Sequence, residues 1–280
     1  MAITSSAKLA GVIGWPVSHS LSPRLHSYWL NKYKVDGFYI PLAVRPKDLK
    51  YSLRALPKMG FSGVNITAPH KERAFQAMDS VSAVASRLGA VNTVVIDENG
   101  KLRGENTDGF GFVENLRNNW PELNFNTLKP LVLGAGGAAR AIIAALQDAG
   151  VCEIQVANRT FERAQSLAKD LSGKINILPW ADMLGAMPYV NILINTTTLG
   201  MQGMGALNID FSKVPKSILV TDVVYNPLRT PILIEASVNG NPVLDGLDML
   251  LYQAQPGFSA WFGEEPDVTP DLRSFVLKGY

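Results

Sequence analysis

The residues best suited by type and spacing to do chemistry lie in Pro130-Leu131-Val132-Leu133-Gly134-Ala135-Gly136-Gly137-Ala138-Ala139-Arg140. An apolar run ends in a glycine turn, and a small-residue helix follows. Gly134, Gly136 and Ala139 fit G-x-G-x-x-A. Gly134 permits a tight turn out of the strand. Gly136 leaves room for a pyrophosphate against the backbone, and Ala139 lets the helix lie close on the strand. The free N–H groups and positive dipole end of that helix then face the phosphates. Glu153-Ile154-Gln155-Val156-Ala157 reads as the next strand. Asn158-Arg159-Thr160 ends it, and Arg163 follows about one helical turn on. A carboxylate at this strand end would hold a ribose 2′-hydroxyl. None stands there, although Glu162 sits between the two arginines. A guanidinium takes a 2′-phosphate bidentately, where a carboxylate repels it. The pattern points to NADP. The alternative is a glycine turn that only packs, with Thr160 capping a helix and the arginines in solvent. A capping Thr160 is compatible with both, because it leaves the arginines free.

Other clusters carry polar groups at element ends. In His19-Ser20-Leu21-Ser22-Pro23, Ser22 before Pro23 reads as a helix N-cap with proline at the first helical position. Two hydroxyls at a helix start also suit a small carboxylate, so Ser22 has two readings here, while Ser20 has no capping role. Asn65-Ile66-Thr67-Ala68-Pro69-His70-Lys71 closes a strand, with Asn65 and Thr67 on one side by the period of two. Pro69 suggests a helix start just before Lys71. A lysine there opposes the helix dipole, a local conflict typical of a functional position, although most lysines are merely solvated. Asn195-Thr196-Thr197-Thr198 and Asp222-Val223-Val224-Tyr225-Asn226-Pro227 follow two later strands. They are expected to line a cleft, against the alternative of ordinary loop chemistry.

The elements that must position these groups follow from periodicity. Strands are expected at Leu9–Ile13, Phe38–Val44 and Phe61–Thr67, and a hairpin turns at Glu98-Asn99-Gly100. Phe110, Val113, Leu116 and Trp120 share a helix face that serves as the first connector. From Pro130 strands and helices alternate, as in a doubly wound parallel sheet. After Asp245-Gly246, a helix with Leu247, Leu250, Leu251, Ala254, Phe258 and Trp261 on one side should be kinked by Pro256. Having no strand of its own, it is expected to return to the first domain. The fold class is α/β with two domains. Residues 1–108 plus 246–280 form a split α/β domain, and 109–245 a Rossmann domain.

Composition narrows the classes. The 280 residues suffice for two domains, and 47% hydrophobic with 18% charged residues predicts a sizeable core. A formal net charge of +2 gives no reason to expect nucleic acid or a membrane surface as partner. One cysteine, Cys152, excludes an intrachain disulfide and suits a reducing cytoplasm. Three histidines without ligand spacing argue against a zinc site, and no metal is expected.

Taken together and in this order, the Ser20/Ser22 segment, Asn65–Lys71, Gly89-Ala90-Val91-Asn92-Thr93, Asn106-Thr107-Asp108-Gly109, the glycine loop, Asn158-Arg159-Thr160, Tyr225-Asn226-Pro227 and Gln253 resemble the shikimate dehydrogenase family. The resemblance covers nearly the whole chain. It implies a split substrate-binding domain, an NADP domain between its parts, and reversible NADPH-dependent reduction of 3-dehydroshikimate to shikimate on the way to aromatic amino acids. It further implies that Ser20 and Ser22 hold the substrate carboxylate. Asn65, Thr67, Asn92, Asp108 and Gln253 would bond the ring hydroxyls, with Tyr225 beside them, and Lys71 and Asp108 would form the catalytic pair. The expected cofactor contacts are Gly134, Ala135, Gly136, Gly137, Ala138, Asn158, Arg159, Thr160, Arg163, Thr196 and Gly246. A site of Ser, Thr, Asn and Gln side chains suits a small polyol and rejects apolar ligands. The expected partner is the small-molecule substrate alone, on a cytoplasmic monomer or homodimer. Two readings compete: a quinate/shikimate dehydrogenase of broader specificity, against which the Arg159 pattern speaks where NAD is concerned, and a non-catalytic NADP-binding regulator, against which Lys71 and Asp108 speak.

Overall fold

The computed structural model describes residues 4–278. The chain divides into two units, Met1–Thr107 with Leu250–Tyr280, and Asp108–Met249. The first unit opens with β1 (Lys8–Gly14), α1 (Ser22–Lys32), β2 (Gly37–Ala43), α2 (Leu49–Ala55), β3 (Phe61–Ile66), α3 (Lys71–Phe75), β4 (Ser80–Val81), α4 (Ala83–Leu88), β5 (Thr93–Ile96) and β6 (Leu102–Glu105). Its strands lie in the order β2-β1-β3-β5-β6-β4. β1 runs parallel to β2 and β3, whereas β5 is antiparallel to both β3 and β6. Apolar residues at alternate strand positions and on the helix faces explain the packing: Ile13, Leu53, Val64, Ile66, Ala85, Val94 and Leu102 form one buried cluster. The Asn99-Gly100 turn joins β5 to β6, with Gly100 at φ 74° and Asp97 Oδ1 accepting from the N–H groups of Asn99 and Lys101.

The second unit holds α5 (Asp108–Asn119), β7 (Pro130–Leu133), α6 (Gly137–Asp148), β8 (Ile154–Ala157), α7 (Phe161–Leu171), β9 (Ile175–Leu178), α8 (Met183–Ala186), β10 (Ile192–Asn195), β11 (Leu219–Asp222), α9 (Pro231–Asn239) and β12 (Val243–Leu244). Its order is β12-β11-β10-β7-β8-β9, every pair parallel. β7 and β10 are buried at every position, which is why they read as unbroken apolar runs rather than alternating ones. The chain order reverses between these two neighbours. In such sheets that reversal opens a crevice at the C-terminal strand ends, here at Leu133–Gly134 and Asn195–Thr196.

The chain then forms α10 (Leu247–Phe262) and α11 (Pro270–Leu277). From Leu250 onward it belongs to the first unit. α10 is one helix with Pro256 inside it. Proline costs a helix about 3 kcal/mol. Burying an indole of 150–250 Å² returns roughly 4–6 kcal/mol, and Trp261 is 2% exposed. Its indole N–H donates to the Val94 carbonyl at 3.0 Å. Gly63 is required beneath it, since a Cβ there would stand 2.1 Å from the indole nitrogen.

Candidate active site

In the first unit, three of the expected substrate residues fall into one buried hydrogen-bond network. Asn65, at the end of β3, accepts at Oδ1 from the Tyr39 hydroxyl at 2.6 Å. Its amide nitrogen donates to Thr93 Oγ1 at 3.1 Å and to the Asn92 carbonyl at 3.2 Å. Thr93 donates to Asn92 Oδ1 at 3.0 Å. Asn92 Nδ2 donates to Thr107 Oγ1 at 2.9 Å and to Gln253 Oε1 at 3.2 Å. Thr107 in turn donates to the Gln253 carbonyl at 2.8 Å. The network thus runs from Tyr39 through Asn65 and Asn92 to Gln253. Tyr39, Thr93 and Thr107 are the members sequence reasoning missed. Tyr39 lies mid-strand in β2, where nothing local separates it from ordinary core, whereas Thr93 and Thr107 lie in the Gly89–Thr93 and Asn106–Gly109 segments beside Asn92 and Asp108.

Two local expectations are corrected. Leu21, not Ser22, occupies the N-cap of α1, and no side chain caps it. Ser22 is the first helical residue, and its N–H donates to Ser20 Oγ at 3.3 Å. The local backbone duty therefore falls to Ser20, because Pro23 sits one position deeper in the helix than expected and shifts the cap back by one. Nor is Pro69 the first helical residue. The Ala68–Pro69 peptide is cis, and α3 starts at Lys71 with His70 at its N-cap. Thr67 continues the face of Asn65 and is half-buried. Lys71, also half-buried, has its carbonyl bonded to the Val91 N–H at 3.0 Å, which ties the first turn of α3 to the Asn92 segment.

Two histidines lie beside this network. His26 is fully buried, stacks on Tyr39 at 3.8 Å and 6°, and has no hydrogen-bond partner for either ring nitrogen among the described residues. Burial pushes its pKa down to about 3, so the imidazole stays neutral. His70 bonds the Val44 carbonyl at 2.8 Å, and burial likewise lowers its pKa.

In the second unit, Gly134 leaves β7 at φ 111°, and a Cβ there would meet Thr196 Oγ1 at 2.6 Å. Thr196 gives that hydroxyl to the Leu133 carbonyl at 2.7 Å, so its proton is used in joining the two strand ends. Gly136 and Gly137 open α6, and a Cβ at either would meet nothing within 4 Å. Ala135 and Ala138 flank them half-buried, and Ala139 is fully buried against the sheet. The turn therefore offers open backbone at a helix N-terminus, as a pyrophosphate requires. Thr160 does hold the N-cap of α7, without a side-chain cap bond, while Asn158 Nδ2 bonds the Thr160 carbonyl at 2.7 Å. Arg159 and Arg163 are exposed and make no ion pair among the described residues, whereas the neighbouring Arg140 is engaged by Asp170 at 2.8 Å. The donors present fit a 2′-phosphorylated dinucleotide. Gly246 is buried against the backbone, where a Cβ would stand 2.5 Å from the Val223 carbonyl. Tyr225 lies half-buried in the loop after β11, and Asp108 is the first residue of α5.

A second polar hub ties the loops after β10 and β11. Asp222, fully buried, accepts from Asn195 Nδ2 and the Val224 N–H, each at 3.0 Å, and from the Thr230 hydroxyl at 2.7 Å. Burial raises its pKa to about 6, against the opposing pull of these three donors. Asn195 Oδ1 accepts from both the N–H and the hydroxyl of Thr197, so the two loops share one anchor.

An all-parallel doubly wound sheet with an open glycine turn at its switch point defines an α/β dinucleotide-binding protein. Residues 12–94 match the family model for the shikimate dehydrogenase substrate binding domain, and 117–218 that for shikimate / quinate 5-dehydrogenase. The shikimate dehydrogenase (NADP(+)) of Paramagnetospirillum magneticum is 51% identical over 98% of this chain and 100% of its own. The crystal structure of shikimate 5-dehydrogenase from Thermus thermophilus, in complex with NADP(H) and shikimate, is 36% identical with a TM-score of 0.85, covering 97% of this chain and 99% of that one. Quinate dehydrogenase from Corynebacterium glutamicum, in complex with NAD, is 33% identical with a TM-score of 0.89, covering 97% of this chain and 99% of that one. The chain belongs to the shikimate dehydrogenase family.

Proposed function

We propose that this protein catalyses the reversible NADPH-dependent reduction of 3-dehydroshikimate to shikimate. The observation that carries the reading is the buried network linking Asn65, Asn92 and Gln253. Its members are neutral donors and acceptors, the set a small polyhydroxylated ring needs and an apolar ligand would leave unpaired. Ser20 and Ser22 hold the substrate carboxylate at the start of α1. Asn65, Thr67, Asn92 and Gln253 bond the ring hydroxyls, with Tyr225 contributing from the loop after β11. The 2′-phosphate of NADP goes to Arg159 and Arg163 beside Asn158 and Thr160. Its pyrophosphate goes to the turn of Gly134, Ala135, Gly136, Gly137 and Ala138, with Thr196 and Gly246 bordering the cleft. Residues 1–108 with 246–280 act as the substrate domain and 109–245 as the NADP domain. The enzyme works in the cytoplasm as a monomer or homodimer.

The reduced nicotinamide supplies a hydride to the carbonyl carbon. Lys71 donates the proton to the carbonyl oxygen and accepts it in the reverse direction; as an ammonium it also stabilises the negative charge developing on that oxygen. Asp108 orients Lys71 and bonds a substrate hydroxyl. The deciding experiment is NADP reduction followed by absorbance with shikimate, beside quinate and beside NAD. Turnover confined to shikimate and NADP supports the reading. Equal rates on quinate would replace it with the broader dehydrogenase, and no turnover with retained NADP binding would leave the regulator. Lys71→Ala should lower kcat about 10²- to 10⁴-fold with a much smaller change in KM for shikimate; near-normal kcat would remove Lys71 from the chemistry.

A further inference from the structure

Tyr39 sits in the middle of β2, 5% exposed, and none of the roles above uses it. The phenol has one proton, which goes to Asn65 Oδ1, at the end of β3, at 2.6 Å. Burial raises the Tyr39 pKa well above its ordinary value, so the proton stays on the oxygen.

We propose that Tyr39 is a positioning residue of the substrate site, fixing which way the Asn65 amide faces. The inference rests on the functional reading above, in which Asn65 touches substrate. The amide of Asn65 has two orientations of equal shape. With Oδ1 toward Tyr39, the amino group meets two acceptors, Thr93 Oγ1 at 3.1 Å and the Asn92 carbonyl at 3.2 Å. Turned over, it would set Oδ1 against the Asn92 carbonyl, oxygen to oxygen. Tyr39 supplies the donor that makes the first orientation complete. The direction then passes along the network, since Thr93 receives from Asn65 and gives its own proton to Asn92 Oδ1 at 3.0 Å. Chains polarised in one direction strengthen each member. The phenol itself is held by the neutral His26 ring stacked 3.8 Å beneath it, so its position carries no charge-dependent component.

The test is Tyr39→Phe, which keeps the ring and its stacking and deletes only the hydroxyl. KM for shikimate should rise about fivefold, the loss of one hydrogen bond's worth of ordering, while KM for NADP and kcat each change less than about twofold. In an Asn65→Ala background the same substitution should add less than about twofold, because Tyr39 acts through Asn65. A change in Tm with KM untouched, or an undiminished effect in the Asn65→Ala background, overturns the inference while leaving the enzyme's function standing. A wild-type protein that does not turn over shikimate overturns the functional reading, and the inference falls with it.

Discussion

Asp222 gives the sharpest physical test of the second unit. It is fully buried at the end of β11, beside Asn195 at the end of β10, with three donors and, among the described residues, no cation against it. Its pKa rises from 3.8 to about 6. At 1.36 kcal/mol per pKa unit, ionising the carboxyl in the fold costs about 3 kcal/mol more than ionising it in the unfolded chain. The sign follows from the direction: a raised folded pKa means the folded state binds the proton more tightly. The stability it contributes is fully present below 3.8 and is lost as pH rises through about 6. Some 2 of the ~3 kcal/mol falls between about pH 4.5 and 7.5. Asp222→Asn cannot titrate. Its amide oxygen keeps the bonds from Asn195 and Val224, and its amino group faces Thr230, whose hydroxyl rotates to accept. The depressed histidines His26 and His70 push stability the opposite way, downward with acid, but they act alike in both proteins and cancel in the difference. Urea unfolding of wild type and variant at pH 4.5, 6 and 7.5 is the assay. The variant should gain about 2 kcal/mol on wild type across that range. Parallel stability curves would show that Asp222 is not held in a desolvated, proton-retaining site.

Two further tests concern binding. Arg159→Ala should weaken NADPH binding about tenfold or more, the scale of a lost charge-assisted hydrogen bond, and leave NADH binding nearly unchanged; equal loss for both, measured by fluorescence titration, would show that Arg159 does not read the 2′-phosphate. Because Ser22 does not cap α1, Ser22→Ala should raise KM for shikimate about fivefold while KM for NADP stays put. An unchanged shikimate KM in both Ser22→Ala and Ser20→Ala would remove the carboxylate site.

Local sequence was enough wherever one short segment contains both the cause and its effect. The turn at Gly134 needs a positive φ, the following helix needs Ala139 against the sheet, and both are written within six residues. Apolar runs at β7 and β10 and the Asn99-Gly100 turn declared their own geometry in the same way. The start of α1 was misjudged by one residue because serine suits both the cap and the first turn beside a proline, and the choice depends on what the rest of the helix buries. The pairings within the hydrogen-bond network were not legible. Its bonds join residues separated by as many as 161 positions, Asn92 to Gln253, and a polar side chain in a strand does not say which distant partner will satisfy it. Sequence alone determined which polar groups the chain carries and on which elements they ride. Only the tertiary structure decided that Tyr39 would bond Asn65, and that Asp222 would be buried deeply enough to hold its proton, because desolvation and hydrogen-bond pairing are properties of neighbours in space.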